Sequence, residues 1–258
     1  MHCVASTEAR EVEVTTVQGT GRRFDYIGSP GLIDDNPQAF LVDRLYPGAR
    51  IDPHFHDIDQ FQVVVQGDGR IGKKQVHPIA FHYTDAYSPY GPIVGNDQGI
   101  SFFTLRNVSS GGHFVMPGSG HLMPCRAGRN LAGIFDIAVP MREKETDRSV
   151  LIAKEADGVQ AMGLRLGAHA IADGEPSDAG GQYYLVCAGA LIEDGKELPP
   201  NSLVRVDPGE PAPRFQAGAD GADLLMLQFA RPTNRPGSNP AELAARDPDS
   251  YVVKQEKP

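Results

Sequence analysis

The sequence has no apolar run long enough to cross a membrane. Its longest uncharged, mostly apolar stretch, Ala179 to Ile192, holds three glycines and falls short of the ~20 residues a spanning helix needs, so no membrane partner is expected. Positive charge is also in short supply. Lys and Arg number 24 against 33 Asp and Glu, for a net charge of −9. Phosphate backbones gain little attraction from such a surface, and no nucleic-acid partner is expected. Cysteine is scarce: Cys3, Cys125 and Cys187 are odd in number and unpatterned, which makes neither a zinc cluster nor a disulfide framework. The opening residues, Met-His-Cys-Val-Ala-Ser-Thr-Glu, show no basic segment followed by an apolar one, so a cytoplasmic setting is the expectation. Long helix-compatible stretches are missing too. Gly (29) and Pro (21) fill about a fifth of the 258 residues, and both break helices.

What is present is a succession of short β-rich runs: Glu11–Val17, Ala39–Leu45, Phe61–Val65, Ile100–Leu105, Gly163–Leu166, Tyr183–Cys187, Ser202–Val206 and Leu224–Phe229. Turn chemistry separates them at Tyr46-Pro47-Gly48, Gln66-Gly67-Asp68-Gly69, Ser88-Pro89-Tyr90-Gly91 and Asp207-Pro208-Gly209. Strands at this spacing predict an all-β sandwich or barrel. A short helix is expected near the C-terminus, with Asn239 as N-cap, Pro240 as first residue and Glu242 as capping-box partner. The charged stretch Arg142–Arg148 reads as a linker, with a short helix expected around Val150–Ala156.

The chain also repeats itself. Gln60-Phe61-Gln62-Val63-Val64-Val65-Gln66-Gly67 matches Gln182-Tyr183-Tyr184-Leu185-Val186-Cys187-Ala188-Gly189. A proline-containing turn follows each copy, at Pro89 and Pro208, and each turn leads to a strand-like run, Ile100–Leu105 or Leu224–Phe229. Duplication of one β unit is the simplest account of elements that match in order.

Ahead of the first copy stands His54-Phe55-His56. On a strand, side chains two apart share a face, so two imidazoles aim into one space. With Gly48 before the pair, Gln60 after it and Gly67 beyond, the segment resembles the first motif of the cupin superfamily. Gln60 stands where that motif usually carries Glu. The second motif keeps its turn in Pro89-Tyr90-Gly91, but Val94 replaces its histidine. In the second copy the counterparts of the histidines are Pro176 and Asp178. The resemblance spans roughly residues 36–232 and implies two antiparallel jelly-roll barrels: an arm over 1–35, an N-terminal barrel with the site over 36–140, a degenerate C-terminal barrel over 141–232 and a tail over 233–258.

The resemblance further implies a divalent metal (Fe, Mn, Ni or Zn) on His54, His56 and Gln60, the last only a weak neutral ligand. Asp57 and Asp59 sit at odd offsets and are expected to face away, while Asp52 has the offset to face inward. His82, between the motifs, is either a structural histidine or a replacement ligand and catalytic group. Tyr90 is a further candidate, with Tyr83 and Tyr87 as possible neighbours on a pocket rim; all three are equally readable as sheet and turn aromatics. His77 is expected to shape a turn, and His113 and His121, in glycine-rich surroundings, to be loop residues. The expected function is a small-molecule enzyme, first a metal-dependent dioxygenase acting on an oxygen-bearing substrate. A non-redox isomerase or lyase and a non-catalytic binding protein are the alternatives. A homodimer is the expected assembly.

Overall fold

The structure is a computed structural model that describes residues 1–16, 19–31, 36–123, 128–137 and 143–232. The described residues form nineteen strands and two short 3-10 turns, Ser6–Glu8 and Gly120–Leu122. In chain order the strands begin with β1 (His2–Val4), β2 (Arg10–Thr16), β3 (Gly19–Ile27), β4 (Gln38–Arg44), β5 (Arg50–Ile51) and β6 (His54–Phe55). They continue with β7 (Gln60–Ile71), β8 (Lys74–Val76), β9 (Ala80–Thr84), β10 (Ile93–Arg106), β11 (Phe114–Val115) and β12 (Asn130–Ile134). The rest are β13 (Thr146–Ile152), β14 (Gln160–Leu166), β15 (Ile171–Asp173), β16 (Gln182–Glu193), β17 (Lys196–Leu198), β18 (Leu203–Val206) and β19 (Arg214–Gln228). The all-β class expected from composition is the class found.

Two sheets carry the architecture. One runs β12-β9-β7-β10-β4-β3-β2, with β5 on β10 and β8 on β7; the other runs β1-β18-β16-β19-β14-β13, with β15 on β19 and β17 on β16. The orders β9-β7-β10-β4-β3 and β18-β16-β19-β14-β13 correspond strand for strand, and so do the side strands. The repeated octapeptides open the equivalent strands β7 and β16. Contacts among the described residues divide the chain into two compact units, Glu11–Pro78 with His82–Leu131, and Met1–Arg10 with Ile79–Phe81 and Ala132–Arg231. The N-terminal strand β1 thus groups with the C-terminal sheet, where it pairs with β18 from His2↔Arg205 to Val4↔Leu203.

The C-terminal unit shows how period-two patterning makes a core. Leu164 and Leu166 on β14, Tyr184 and Val186 on β16, Val204 and Val206 on β18, and Leu224 and Met226 on β19 all belong to one buried cluster, each pair two residues apart. Burial of side chains this size contributes about 1.5–3 kcal/mol each.

Two expectations need correction. The segment Val150–Ala156 does not start a helix, because Val150 and Ile152 lie on β13, paired with Met162 and Ala161 of β14. The β-branched side chains at both positions favour the extended form, and β14 supplies the ladder. Gln66-Gly67-Asp68-Gly69 is not a turn between strands but the middle of β7, where the pairing with β10 shifts register. The helix expected at Asn239 to Ala245 lies outside the described residues.

Candidate active site in the N-terminal barrel

Local backbone geometry sets the histidine pair. Strand β6 is held on one side by β11, with His54 opposite Val115 and Phe55 opposite Phe114. On the other side His54 and Tyr90 exchange N–H···O bonds of 3.1 and 3.0 Å. Phe55 is fully buried and stacks on Phe114 at 5.0 Å, so its two neighbours turn the opposite way. The loop beyond the pair is pinned. Asp57 accepts bonds from Ser110 Oγ (2.8 Å) and the Gly111 N–H (3.0 Å), and Asp59 accepts from the Ala86 N–H (2.8 Å). These two carboxylates hold the loop. The Asp52 carboxylate pairs with Arg50 at the surface, while its backbone carbonyl receives His54.

The imidazoles sit in a buried polar network. His54 Nδ1–H donates to the Asp52 carbonyl at 2.7 Å, which leaves Nε2 to accept from the Tyr90 hydroxyl at 2.7 Å. Gln60 Nε2 donates to that hydroxyl at 2.5 Å, and Gln60 Oε1 accepts from Arg106 Nε at 3.3 Å. Arg106 also donates to Gln38 Oε1 at 3.2 Å and lies 3.3 Å from both ring nitrogens of His56. His56 Nδ1–H donates to the Gly112 carbonyl at 2.6 Å. Arg106 is deeply buried, its guanidinium over the Phe40 ring at 5.2 Å. His113 completes the group: its ring centre is 4.0 Å from His54 and 5.6 Å from His56, and its outer side is exposed. Neither nitrogen of His113 makes a hydrogen bond among the described residues.

Burial and charge act on this cluster in the same direction. Burial, reinforced by the nearby His113 and Arg106, lowers the pKa of His54 to about 3. Burial and Arg106 hold His56 well below its usual 6.5. Packing of its inner side, with Arg106 and Arg44, lowers His113, and Asp52 opposes the shift. Burial also brings the Arg106 guanidinium down to about 10 and raises the Tyr90 phenol above its usual 10. Near neutral pH the rings are therefore uncharged, the phenol keeps its proton and Arg106 is cationic.

No protein-family model matches the chain, and no curated protein does. Solved structures do match. A suspected dioxygenase of Nostoc punctiforme aligns over 92% of this chain and 85% of its own, at 13% identity and a TM-score of 0.64. An oxalate decarboxylase of Bacillus subtilis, in mutant form, aligns over 90% of this chain and 77% of its own, at 11% identity and 0.59. A protein of Geobacillus kaustophilus aligns over 88% and 95%, at 10% and 0.56.

The fold is the cupin fold. A cupin-type metal needs lone pairs that converge, and the residues here do not fit one as they stand. The lone pair of His54 is held by Tyr90, and His56 faces a guanidinium. A +2 ion about 4 Å from that charge meets ~8 kcal/mol of repulsion at an effective dielectric of 20. The nearby Asp57 carboxylate is bound to Ser110 and Gly111. Among the described residues no three His, Cys, Asp or Glu side chains are grouped to hold a metal.

Of the residues singled out in the sequence, His54, His56, Gln60 and Tyr90 come together. His82 lies on the same side, its ring 5.3 Å from Tyr90, but its nitrogens are taken up by the side-chain amides of Gln62 (2.8 Å) and Asn130 (3.0 Å), one ring nitrogen donating and the other accepting. Burial lowers its pKa to about 4. Tyr83 packs on Phe61, and Tyr87 lies 6.0 Å from Phe55 and donates its backbone N–H to the His56 carbonyl at 2.7 Å, while the Tyr90 hydroxyl bonds the His54 ring. His77 and His121 are bonded to nearby backbone carbonyls at the surface. The sequence reading missed His113 and Arg106. His113 is a loop residue, as expected, but the β6–β11 pairing carries it to His54. Arg106 carried no local signal, since the register of β10 on β7 alone sets it opposite Gln60.

Proposed function

We propose that the N-terminal cupin barrel binds a small oxygen-bearing molecule and moves a proton on it, as an isomerase, lyase or hydratase does, with no metal taking part. The observation that carries this reading is the arrangement around His54: an open, neutral His113 imidazole on one side, a Tyr90–Gln60 hydrogen-bond chain on the other, and the Arg106 cation behind His56. His113 has the lone pair and the access to take a proton. Negative charge arriving beside it raises its pKa toward neutrality, so substrate binding itself makes it a better base. Tyr90, protonated at neutral pH, donates to His54, fixes its tautomer and keeps the pair rigid. Arg106 stabilises negative charge that develops on a carbonyl or enol oxygen.

The alternative is a metal-dependent dioxygenase. The three imidazoles and the suspected dioxygenase among the structural neighbours favour it. One experiment separates the two. The protein is freed of metal with a chelator and incubated in D2O with a panel of small keto and hydroxy acids. Proton exchange is followed by NMR, and oxygen uptake is followed with an electrode after adding back Fe(II), Mn(II), Ni(II) or Zn(II). Exchange by metal-free protein, lost in His113→Asn, is the expected result. Oxygen uptake that depends on one metal, with no exchange in its absence, overturns the proposal in favour of the dioxygenase.

A further inference from the structure

One fixed acceptor sets the direction of every hydrogen bond around Tyr90. The Asp52 carbonyl can only accept, and His54 Nδ1 lies 2.7 Å from it, so the His54 proton is on Nδ1. The lone pair is then on Nε2, 2.7 Å from the Tyr90 oxygen, and the single hydroxyl proton points there. Every other partner of that hydroxyl has to donate to it. Gln60 does so through Nε2. The next partner is the side chain of Gln62, two residues further along β7 and on the same face. Its amide spans the space between the Tyr90 and His82 rings, whose centres are 5.3 Å apart. With its nitrogen toward Tyr90, its carbonyl oxygen faces His82 Nδ1 at 2.8 Å.

The same logic continues outward. Gln62 Oε1 can only accept, which puts the His82 proton on Nδ1 and its lone pair on Nε2. Burial keeps this ring neutral near neutral pH, so it has one proton to give. Asn130 lies 3.0 Å from Nε2. The two ends of an amide are told apart by their partners, and here the nitrogen faces the ring. One directed row results: Asn130 to His82, to Gln62, to Tyr90, to His54, to the Asp52 carbonyl. It starts at an exposed side chain on β12, crosses β9 and β7, and passes through the buried His82, Gln62 and Tyr90. A neutral row of this kind has a second self-consistent state. In it His82 carries its proton on Nε2, Gln62 is turned over, Tyr90 donates to Gln62, and the His54 lone pair is left open.

We propose that Gln62 and His82 are positioning residues that commit the Tyr90 proton to His54 and so close the His54 lone pair to any metal or substrate proton. This deepens the metal-free reading of the site and rests on it for one consequence, that proton transfer falls to His113. The bonding itself needs no turnover to be tested.

The test reads ring nitrogens. Long-range proton–nitrogen NMR of the isotope-labelled full chain, near neutral pH, reports which nitrogen of each histidine carries the proton. His54 and His82 should both carry it on Nδ1, with the His54 Nε2 signal upfield of a free lone pair because the hydroxyl bonds it. A His82 proton on Nε2 is the reversed row and overturns the proposal before any variant is made. Gln62→Glu replaces the donating end by an oxygen. Where the carbon signal of the new carboxyl shows it ionised, it accepts from both His82 and Tyr90, and His54 Nε2 should move downfield to the position of a free lone pair. An unmoved signal overturns the proposal.

Should the glutamate variant not fold or stay protonated, Gln62→Met removes both ends of the amide. His82 then meets Asn130 alone and should move its proton to Nε2, while the His54 signals stay as in the wild type. A side chain that merely filled space would leave the His82 tautomer unchanged, and that result also overturns the proposal. Ring signals as expected in a protein that exchanges no substrate proton overturn the proton-transfer reading and leave this one standing; exchange in a protein with the reversed row does the opposite.

Discussion

Tyr90 shows how much rests on one atom in this site. Its hydroxyl receives Gln60 and donates to His54, so Tyr90→Phe leaves a buried amide and a buried imidazole nitrogen without that partner. Each orphaned group costs about 1–3 kcal/mol. Urea unfolding should show a loss of about 2–4 kcal/mol, with proton-transfer activity lost as well; a loss under 0.5 kcal/mol would mean the hydroxyl is dispensable. Gln60→Glu tests the electrostatic account. The new carboxylate lands beside Arg106 Nε and forms an ion pair with it, so it has little left for a metal. Calorimetry with Zn(II) and Mn(II) should find no tighter binding than in the wild type. A tenfold gain in metal affinity would restore the metal-centre reading.

At the scale of elements, glycines decide how closely the long strands can approach. Gly67 on β7 has φ +75° and its missing Cβ would lie 2.2 Å from the Gly99 carbonyl oxygen; Gly99, at φ +78°, would place a Cβ 2.2 Å from the Arg44 carbonyl oxygen. The same pair recurs in the other unit. Gly189 would place a Cβ 2.1 Å from the Gly221 oxygen, and Gly221 one 2.5 Å from the Leu166 oxygen. The repeated glycine of the octapeptide thus marks a close backbone crossing at a bulge rather than a turn. Gly99→Ala should cost about 3 kcal/mol or more, because strain and a backbone clash coincide. Gly195→Ala is the control. It sits at φ +76° in the β16–β17 hairpin with no atom within 4 Å of the new Cβ, and should cost only about 1–2 kcal/mol, the left-handed penalty alone. Equal losses in chemical unfolding would refute the crossing argument.

For the whole molecule, the buried histidines link stability to pH. His54 and His82 titrate at about 3 and about 4 in the folded state, with His56 also lowered, against about 6.5 in an unfolded chain. Between those values the unfolded chain binds protons that the folded one does not. Stability is therefore full above pH 6.5, falls as the pH drops below it, and stops falling on this account once the folded-state values are passed. The slope is about 1.4 kcal/mol per pH unit for each such histidine. Urea midpoints at pH 7.5, 6.0 and 5.0 should decline accordingly, and His82→Gln should flatten the slope by about one proton. An unchanged midpoint from pH 7.5 to 5.0 would refute the assignment of these rings as buried and neutral.

The all-β class, the positions of several strands and the likeness of the two halves could be read from the chain alone. All of these are local signals: glycine and proline density, period-two patterning and a repeated octapeptide. The His54-Phe55-His56 spacing likewise announced a shared face, because two-residue periodicity is a property of the strand itself. Three matters could not be settled locally. Val150 and Ile152 became strand rather than helix because β14 lies alongside to pair with them. His113, in a glycine-rich loop with no periodicity, became part of the site because β11 docks on β6. Arg106 acquired its meaning from pairing across the sheet, since only the register of β10 against β7 sets it beside Gln60 and His56.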